Sequence, residues 1–95
     1  MTNYRRGVET ERKIMAILEE AGYVAVRTAG SHGPVDVIGI GPNSIRCIQA
    51  KRTKKGTFSY EQELDQLRQL PRNPHVSYEL WVWRDNKGFV MREVV

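Results

Sequence analysis

The sequence predicts a single α/β domain over residues 1–95, with a mixed central β-sheet flanked by helices in the order αβββαββ. Three observations lead to this prediction. The chain of 95 residues has the length of one small domain. Two segments repeat apolar residues at helical spacing. Five short segments rich in β-branched and aromatic residues are separated by turn residues.

The composition narrows the class of protein. A hydrophobic fraction of 40% with 27% charged residues is typical of a globular domain and too apolar for a disordered one. No apolar run reaches the roughly 18 residues of a membrane span, and the first residues lack the apolar stretch of a signal peptide. We therefore expect a cytoplasmic, intracellular protein with no membrane partner. The single cysteine, Cys47, excludes a disulfide framework and a zinc site built on paired cysteines.

The first element is an amphipathic helix over residues 5–21. Its apolar residues recur at steps of three and four positions, and Gly22 follows them as a stop signal. These apolar residues are Val8, Ile14, Met15, Ile17, Leu18 and Ala21.

Three strands are predicted next, over residues 23–27, 35–40 and 45–51. The second and third strands are joined by residues 41–44, Gly-Pro-Asn-Ser, whose turn-forming side chains suit a four-residue hairpin loop. The hairpin therefore fixes which residues of these two strands lie opposite each other.

The second half of the chain supplies another helix and two more strands. Ser59 and Gln62 have the spacing of a capping box, so the helix is predicted to begin at Ser59, and Pro71 marks its end. The last strands are expected over residues 78–84 and 88–95, on either side of a polar turn that ends in glycine.

Positive charge is in excess and is clustered. Fifteen Lys and Arg against eleven Asp and Glu give a net charge of +4. The clustered basic residues are Arg5, Arg6, Arg46, Lys51, Arg52, Lys54 and Lys55. Clustered base on a small domain indicates a polyanion partner, usually nucleic acid, or else a solvated basic loop. Charge alone does not choose between the two.

One glutamate lies on the apolar side of the first helix. At 100° per residue, Glu11 falls within the apolar stripe, whereas Glu9, Lys13 and Glu20 fall on the solvent side. A carboxylate in that position is costly unless a cation or hydrogen bonds meet it. Glu11 either reaches water at the edge of the core or belongs to a polar site.

The hairpin favours the polar site. With the loop at residues 41–44, Asp36 lies opposite Gln49, and Lys51 is diagonal to Asp36 on the same face. That face also carries two apolar pairs, Ile38 with Cys47 and Ile40 with Ile45, so we expect it to be buried and to receive the first helix with Glu11. Hard oxygen ligands beside a lysine suit Mg²⁺ or Mn²⁺, which activates water and offsets phosphate charge.

At these residues the sequence resembles the PD-(D/E)xK nuclease superfamily, and in particular the archaeal-type Holliday junction resolvases. Gly7-x-x-x-Glu11-Arg12 leads the first helix, and residues 27–36, Arg-Thr-Ala-Gly-Ser-His-Gly-Pro-Val-Asp, are similar to a distinctive stretch of that family. Residues 48–51, Ile-Gln-Ala-Lys, occupy the place of its E-x-K motif. The resemblance covers roughly residues 5–70 and implies a restriction-endonuclease-like core.

The resemblance implies a role for each residue of the site. Asp36 would bind Mg²⁺ or Mn²⁺ directly, and Glu11 would complete the metal site directly or through water. The side chain of Gln49 and the backbone carbonyl of Ala50 would supply further oxygens. Lys51 would orient or deprotonate the attacking water and contact the scissile phosphate. The catalytic residues would therefore be Glu11, Asp36, Gln49 and Lys51.

The resemblance also implies the partners. Members of the family are homodimers that nick two opposed strands of a four-way DNA junction. Arg27 and Ser31 would hold the DNA backbone, and His32 would touch phosphate, shuttle a proton or serve only the loop. The residues assigned to DNA are Arg5, Arg6, Arg27, Ser31, His32, Arg52, Lys54 and Lys55. For Trp81 and Trp83, packing in the core or at a dimer interface is favoured over base stacking.

Gln49 departs from the family, which usually has glutamate at that position. Glutamine keeps a ligating oxygen but removes one negative charge, which weakens metal binding. Three functions therefore remain open: a junction-resolving endonuclease, a non-catalytic module that binds junction or duplex DNA, and a nicking nuclease for other branched DNA.

Overall fold

Seven elements follow one another in the predicted order and build one sheet with a helix on each face. The computed structural model describes residues 3–29 and 33–95, apart from the side chains of residues 3, 4 and 6. The elements are α1 (Asn3–Glu20), β1 (Val24–Arg27), β2 (Val37–Ile40), β3 (Ile45–Thr53), α2 (Glu61–Arg68), β4 (Val76–Arg84) and β5 (Gly88–Val94). Within these described residues, neither helix has the length and apolar character needed to cross a membrane.

The sheet is mixed, as predicted. Its five strands lie in the order β1-β2-β3-β4-β5, with β3 and β4 parallel and every other neighbouring pair antiparallel. The parallel pair follows from the chain itself, because the connection through α2 carries it back to the starting edge of β3. The predicted hairpin register is confirmed at two positions, Ile40 with Ile45 and Ile38 with Cys47.

Helix α1 packs on the face of the sheet opposite to the one predicted. Ile14 and Leu18 are fully buried against Val37 and Ile48, which alternate with the residues expected to receive the helix. The prediction was wrong because β2 and β3 carry apolar residues on both faces, so their alternation does not identify the helix side. Gly39 lets α1 approach closely, because a Cβ there would lie 3.1 Å from a methyl carbon of Leu18.

Helix α2 covers part of the other face. Its Leu64 and Leu67 are buried against Leu80 and Val82 of β4. The helix begins at Glu61 rather than Ser59, with Tyr60 at the N-cap and no side-chain hydrogen bond there, so the predicted capping box does not form. The packing of the Tyr60 ring against this cluster decides where the helix starts.

The turn between β4 and β5 forms where its polar residues predict it. Asn86 and Gly88 have φ angles of 67° and 91°, in the left-handed region that these two residue types tolerate best. The N–H of Lys87 donates to the carbonyl of Arg84 at 2.9 Å, closing the turn.

A buried glutamate ties β3 to β4 on the α1 face. The Glu79 side chain is 3% exposed and accepts two hydrogen bonds of 2.8 Å from the Arg46 guanidinium. It also accepts from the hydroxyl of Ser77 at 2.8 Å and from the indole of Trp81 at 3.0 Å. Burial works against ionisation, but the donors together outweigh it, so the pKa of Glu79 lies below its ordinary value of 4.5.

This network predicts a pH-dependent contribution to stability. Because the folded-state pKa of Glu79 is lowered, its contribution is fully present above pH 4.5 and is lost as the pH falls through the folded-state pKa. We expect Glu79→Gln to reduce the free energy of unfolding by about 1–3 kcal/mol at neutral pH. The difference in unfolding free energy between variant and parent should be smaller at acidic pH. Urea unfolding at neutral and at acidic pH measures this difference, with Glu93→Gln, exposed on β5, as the control. Parallel pH profiles for Glu79→Gln and the parent would contradict the assignment.

Candidate active site

The sheet opens between β2 and β3. The β2–β3 ladder ends at Val37 with Ile48, whereas β3 continues to pair with β4 as far as Thr53. Asp36 lies in this opening, where its N–H donates to the carbonyl of Ile48 at 2.9 Å and its Oδ2 accepts from the N–H of Ala50 at 2.8 Å. We call this opening, bounded by Asp36 on one side and Ala50 on the other, the fork.

Asp36 therefore does not pair with Gln49 in the ladder, as the hairpin register predicted. Thr28, directly after β1, binds the segment that leads into β2. Its N–H donates to the carbonyl of Asp36 at 3.0 Å, and its hydroxyl donates to the carbonyl of Val35 at 2.7 Å. These bonds turn the chain away from β3 before β2 begins. The carboxylate of Asp36 consequently takes the place of a ladder partner for Ala50.

The backbone of Ala50 supplies a second oxygen at the fork. In a strand, the N–H and C=O of one residue point to the same side. Since the N–H of Ala50 reaches Asp36, its carbonyl also points into the fork. This placement agrees with the role that the resemblance implies for Ala50.

Gln49 lies on the α2 side of the sheet and is 7% exposed. Its Oε1 is buried and has no hydrogen-bond partner among the residues that the structure describes. A buried polar atom left in this state costs about 1–3 kcal/mol. A cation at the fork would supply the missing interaction.

Lys51 projects from the same face as Gln49, two residues further along β3. Its Nζ lies 3.9 Å from Oε2 of Glu63 on α2, and both side chains are partly exposed. Glu63 was not among the site residues predicted from the sequence. The signal was present, because Glu63 is four residues before the buried Leu67 and so lies on the helix side that faces the sheet.

Glu11 approaches Asp36 from the opposite face, on α1. Its side chain is 19% exposed, and its Oε1 accepts a 2.9 Å hydrogen bond from Nε of Arg27. Burial raises the pKa of Asp36; the Ala50 N–H lowers it, the Glu11 charge raises it and the Lys51 charge lowers it, and the net change is upward. Glu11 and Lys51 thus both act on Asp36, although α1 lies on the face not predicted.

The residues at the fork fit a divalent metal ion. All the candidate ligands are oxygens: two carboxylates, one amide and one backbone carbonyl, which Mg²⁺ and Mn²⁺ prefer. The orphaned Oε1 of Gln49 is the observation that favours a cation. Across residues 3–29 and 33–95, no three His, Cys, Asp or Glu side chains form a metal-binding group. That finding is consistent with an amide at position 49 in place of a third carboxylate.

Basic residues lie around the fork, though not all as predicted. Arg5, Arg27 and Arg12 line a groove on the α1 side together with Val8 and Glu9. Arg12 belongs to the family motif but was not assigned to DNA from the sequence. Ser31, His32 and the side chain of Arg6 lie outside the described residues.

The loop assigned to DNA phosphates is shorter than predicted. Lys54 and Lys55 are exposed after β3, but Arg52 belongs to β3 itself. Its Nε donates to Oδ1 of Asp85 at 2.6 Å, and its Nη1 lies 3.7 Å from a carboxylate oxygen of Glu9. The side chain of Glu9, expected to face solvent, is 45% exposed, and its carboxylate also meets Arg52.

Comparison with known proteins identifies the class of the domain. The structure matches that of Archaeoglobus fulgidus Hjc, a Holliday junction resolvase from an archaeal hyperthermophile, with a TM-score of 0.69 and 22% sequence identity. The match covers 88% of this chain and 69% of the other. The predicted fold is thereby confirmed as the α/β fold of these resolvases.

The sequence itself gives the family. Residues 2–73 match the archaeal Holliday junction resolvase (Hjc) family. The chain belongs to this family of junction-resolving endonucleases. The matched segment contains every residue assigned to the fork.

Proposed function

We propose that this chain cuts four-way DNA junctions by hydrolysis of phosphodiester bonds that depends on Mg²⁺ or Mn²⁺ held at the fork. The observation that carries the proposal is the juxtaposition of Asp36 with the backbone of Ala50, beside the orphaned oxygen of Gln49. Asp36, Gln49, the carbonyl of Ala50 and Glu11 would hold the ion. Because its substrate is DNA, we place the protein inside the cell, in the cytoplasm.

The side chains at the fork divide the chemistry between them. A bound divalent ion would supply Lewis acidity at the phosphate and lower the pKa of a water. Lys51 would donate to a phosphate oxygen and orient the water whose oxygen attacks phosphorus while the bond to the leaving sugar oxygen breaks. Its ion pair with Glu63 is a half-exposed contact of 3.9 Å, worth about 0–1 kcal/mol, so Lys51 leaves it at little cost.

The basic groove would hold the DNA backbone next to this chemistry. Arg5 and Arg12 are exposed at its wall, and Arg27 reaches Glu11 from the same side. Lys54 and Lys55 extend the positive surface beyond the end of β3. Contacts to phosphates position a duplex without reading its sequence, as a structure-specific enzyme requires.

The charge lost at Gln49 favours a second candidate, a binding module that holds junctions without cutting them. One assay separates the candidates. A labelled four-way junction, a flapped duplex and a linear duplex of the same sequence are incubated with the protein in Mg²⁺ or in chelator. We expect nicks in the junction with Mg²⁺ alone. Binding without nicks would indicate the binding module, and equal nicking of the flap would indicate a broader branched-DNA nuclease.

We also propose that the protein acts as a homodimer, because paired cuts need two active sites. An exposed apolar patch on the α2 face suits the interface. Its two rows run across β1, β2, β3 and β4: Val24, Ile40, Ile45 and Val76, then Val26, Ile38, Cys47 and Tyr78. Four of these side chains are strongly exposed, Val24 at 65%, Ile40 at 46%, Val26 at 44% and Ile45 at 36%.

The position of this patch favours a second copy of the chain as its partner. None of its eight residues is charged, so the patch can pack on itself across a two-fold axis without burying an unpaired charge. It lies at the first half of β3, whereas Gln49 and Lys51 lie in the second half. Dimerisation through the patch therefore leaves both forks open to DNA.

The dimer makes a specific prediction. Ile40→Glu, at the middle of the patch, should raise the dimer Kd by at least about 30-fold, or ~2 kcal/mol, because a carboxylate would be buried against apolar side chains. Val90→Glu is the matched control, since Val90 is 44% exposed and lies on β5. Sedimentation at micromolar concentration measures both variants. A monomeric parent, or a dimer that survives Ile40→Glu but not Val90→Glu, would exclude this interface.

A further inference from the structure

A pocket beside the active site remains outside the proposed chemistry. It lies at the ends of β3 and β4 and is lined by Arg52, Lys54, Trp83, Asp85 and Asn86. Trp83 is the neighbour of Arg52 in the parallel register, on the α1 face. The two tryptophans differ in environment, because Trp81 is 1% exposed in the core, whereas Trp83 is only partly buried at the pocket wall.

The pocket continues the basic groove. Glu9 lines the groove, and Arg52 lines the pocket, and their charged groups are 3.7 Å apart. Helix α1 reaches the pocket through Glu9, which meets Arg52, and through Lys13, whose ammonium lies over the Trp83 ring. A DNA strand held in the groove would therefore lie next to the pocket.

The Trp83 ring is held firmly enough to act as a platform. Phe89 meets it edge-on, with ring centroids 5.1 Å apart and planes at 83°, and Phe89 packs in the same way on Trp81 at 5.4 Å. The ammonium of the exposed Lys13 lies 5.0 Å from the Trp83 ring centroid. The platform is therefore backed by the core and covered by a long cationic side chain.

We infer that this pocket binds an unstacked nucleobase of branched DNA on the indole of Trp83, an inference that rests on the proposed function. A flat ring bearing an anionic phosphate fits the lining: the indole for stacking, Asp85 and Asn86 for the base edge, and Lys54 for the phosphate. The sequence favoured core or dimer packing for both tryptophans; Trp81 packs in the core, and Trp83 has this further role.

The base displaces Lys13 from the ring. An exposed cation–π contact shifts an equilibrium constant by about two- to fivefold, whereas stacking of a base on an aromatic side chain shifts it by about five- to 100-fold. Stacking of the base on the Trp83 ring is therefore favoured over the contact of Lys13 with that ring. The released ammonium of Lys13 stays next to the bound nucleotide, where a phosphate can take it.

Fluorescence tests the inference directly. Trp81→Phe leaves Trp83 as the only tryptophan. In chelator, so that nothing is cut, a four-way junction should quench its fluorescence, and a linear duplex of the same sequence should quench it much less, because only branched DNA offers an unstacked base. Equal emission with and without saturating junction would overturn the inference.

Junction binding by two further variants tests the inference without the Trp81→Phe substitution. Trp83→Leu should weaken junction binding by about five- to 100-fold, because the stacking of the base on the indole is lost. Phe89→Leu disturbs the same packing but does not line the pocket, so it should bind the junction as tightly as the parent does. Equal losses in both variants would show that Trp83 acts only through packing.

The outcome is separable from that of the proposed function. A parent that cuts the junction in Mg²⁺, together with unquenched Trp83 and unchanged binding by Trp83→Leu, would leave the nuclease intact and remove the pocket. A parent that cuts nothing but shows junction-specific quenching would keep the pocket and favour the binding module.

Discussion

Replacing Asp36 by asparagine is expected to reduce junction cleavage by about 1,000-fold or more, equivalent to ~4 kcal/mol of transition-state stabilisation, with junction binding changed by only a few-fold. An asparagine carbonyl can still accept the hydrogen bond from the N–H of Ala50, so the fork should fold. The variant loses the negative charge and one oxygen that would hold the metal. Single-turnover cleavage and gel-shift binding, measured on the same junction, separate the two effects.

A second aspartate provides the control. Asp65 lies on the exposed side of α2 and pairs with Arg68 at 2.7 Å, away from the fork. Asp65→Asn should cut at the parent rate. Near-normal cleavage by Asp36→Asn, or an equal loss in both variants, would place the chemistry elsewhere.

Replacing Gln49 by glutamate is expected to lower the Mg²⁺ concentration needed for half-maximal cleavage by about tenfold, because hard cations gain affinity with ligand charge. At Mg²⁺ concentrations at which the parent does not cut, Gln49→Glu should cut the junction. Without metal, the new carboxylate would be buried next to the fork and the carboxylate of Asp36, so the metal-free protein should become less stable. Mg²⁺ should consequently raise the Tm of Gln49→Glu more than that of the parent.

The neighbourhood of Gln49 offers a matched control. Gln66, on α2, lines a pocket together with Gln49 but is itself exposed. Gln66→Glu adds the same charge nearby without placing it at the fork. Mg²⁺ titrations that overlap for Gln49→Glu, Gln66→Glu and the parent would show that residue 49 does not touch the metal.

Local signals in the sequence predicted the elements, and they did so for physical reasons. Helix α1, 18 residues long, repeats its apolar residues at steps of three and four positions. The turn residues of the hairpin loop fix the register between β2 and β3. The family motif led to Asp36, Glu11 and Lys51, and the structure brings the charges of Glu11 and Lys51 to bear on Asp36.

The wrong predictions all concern choices that tertiary packing makes. Strands with apolar residues on both faces do not reveal which face takes the helix, and the close approach of α1 at Gly39 decides it. The capping box at Ser59 gives way to the packing of Tyr60. Asp36 leaves the ladder because Thr28, after β1, holds the chain on the other side.

Tertiary packing also explains why Glu63 was missed from the sequence, because it meets Lys51 across two different elements, β3 and α2. Trp83 differs from Trp81 in how much of its side chain the fold leaves exposed. Alternation along β4 puts both indoles on one face. This alternation does not show which of the two indoles is fully buried in the core.

A divalent metal ion at the fork between Asp36 and Ala50 would be visible by anomalous diffraction from crystals of the parent soaked in Mn²⁺ and measured near the manganese absorption edge. We expect one anomalous peak per chain at the fork, beside the carboxylate of Asp36 and the carbonyl of Ala50, and no such peak in Asp36→Asn. Manganese bound elsewhere on an ordered parent, with none at the fork, would contradict this expectation.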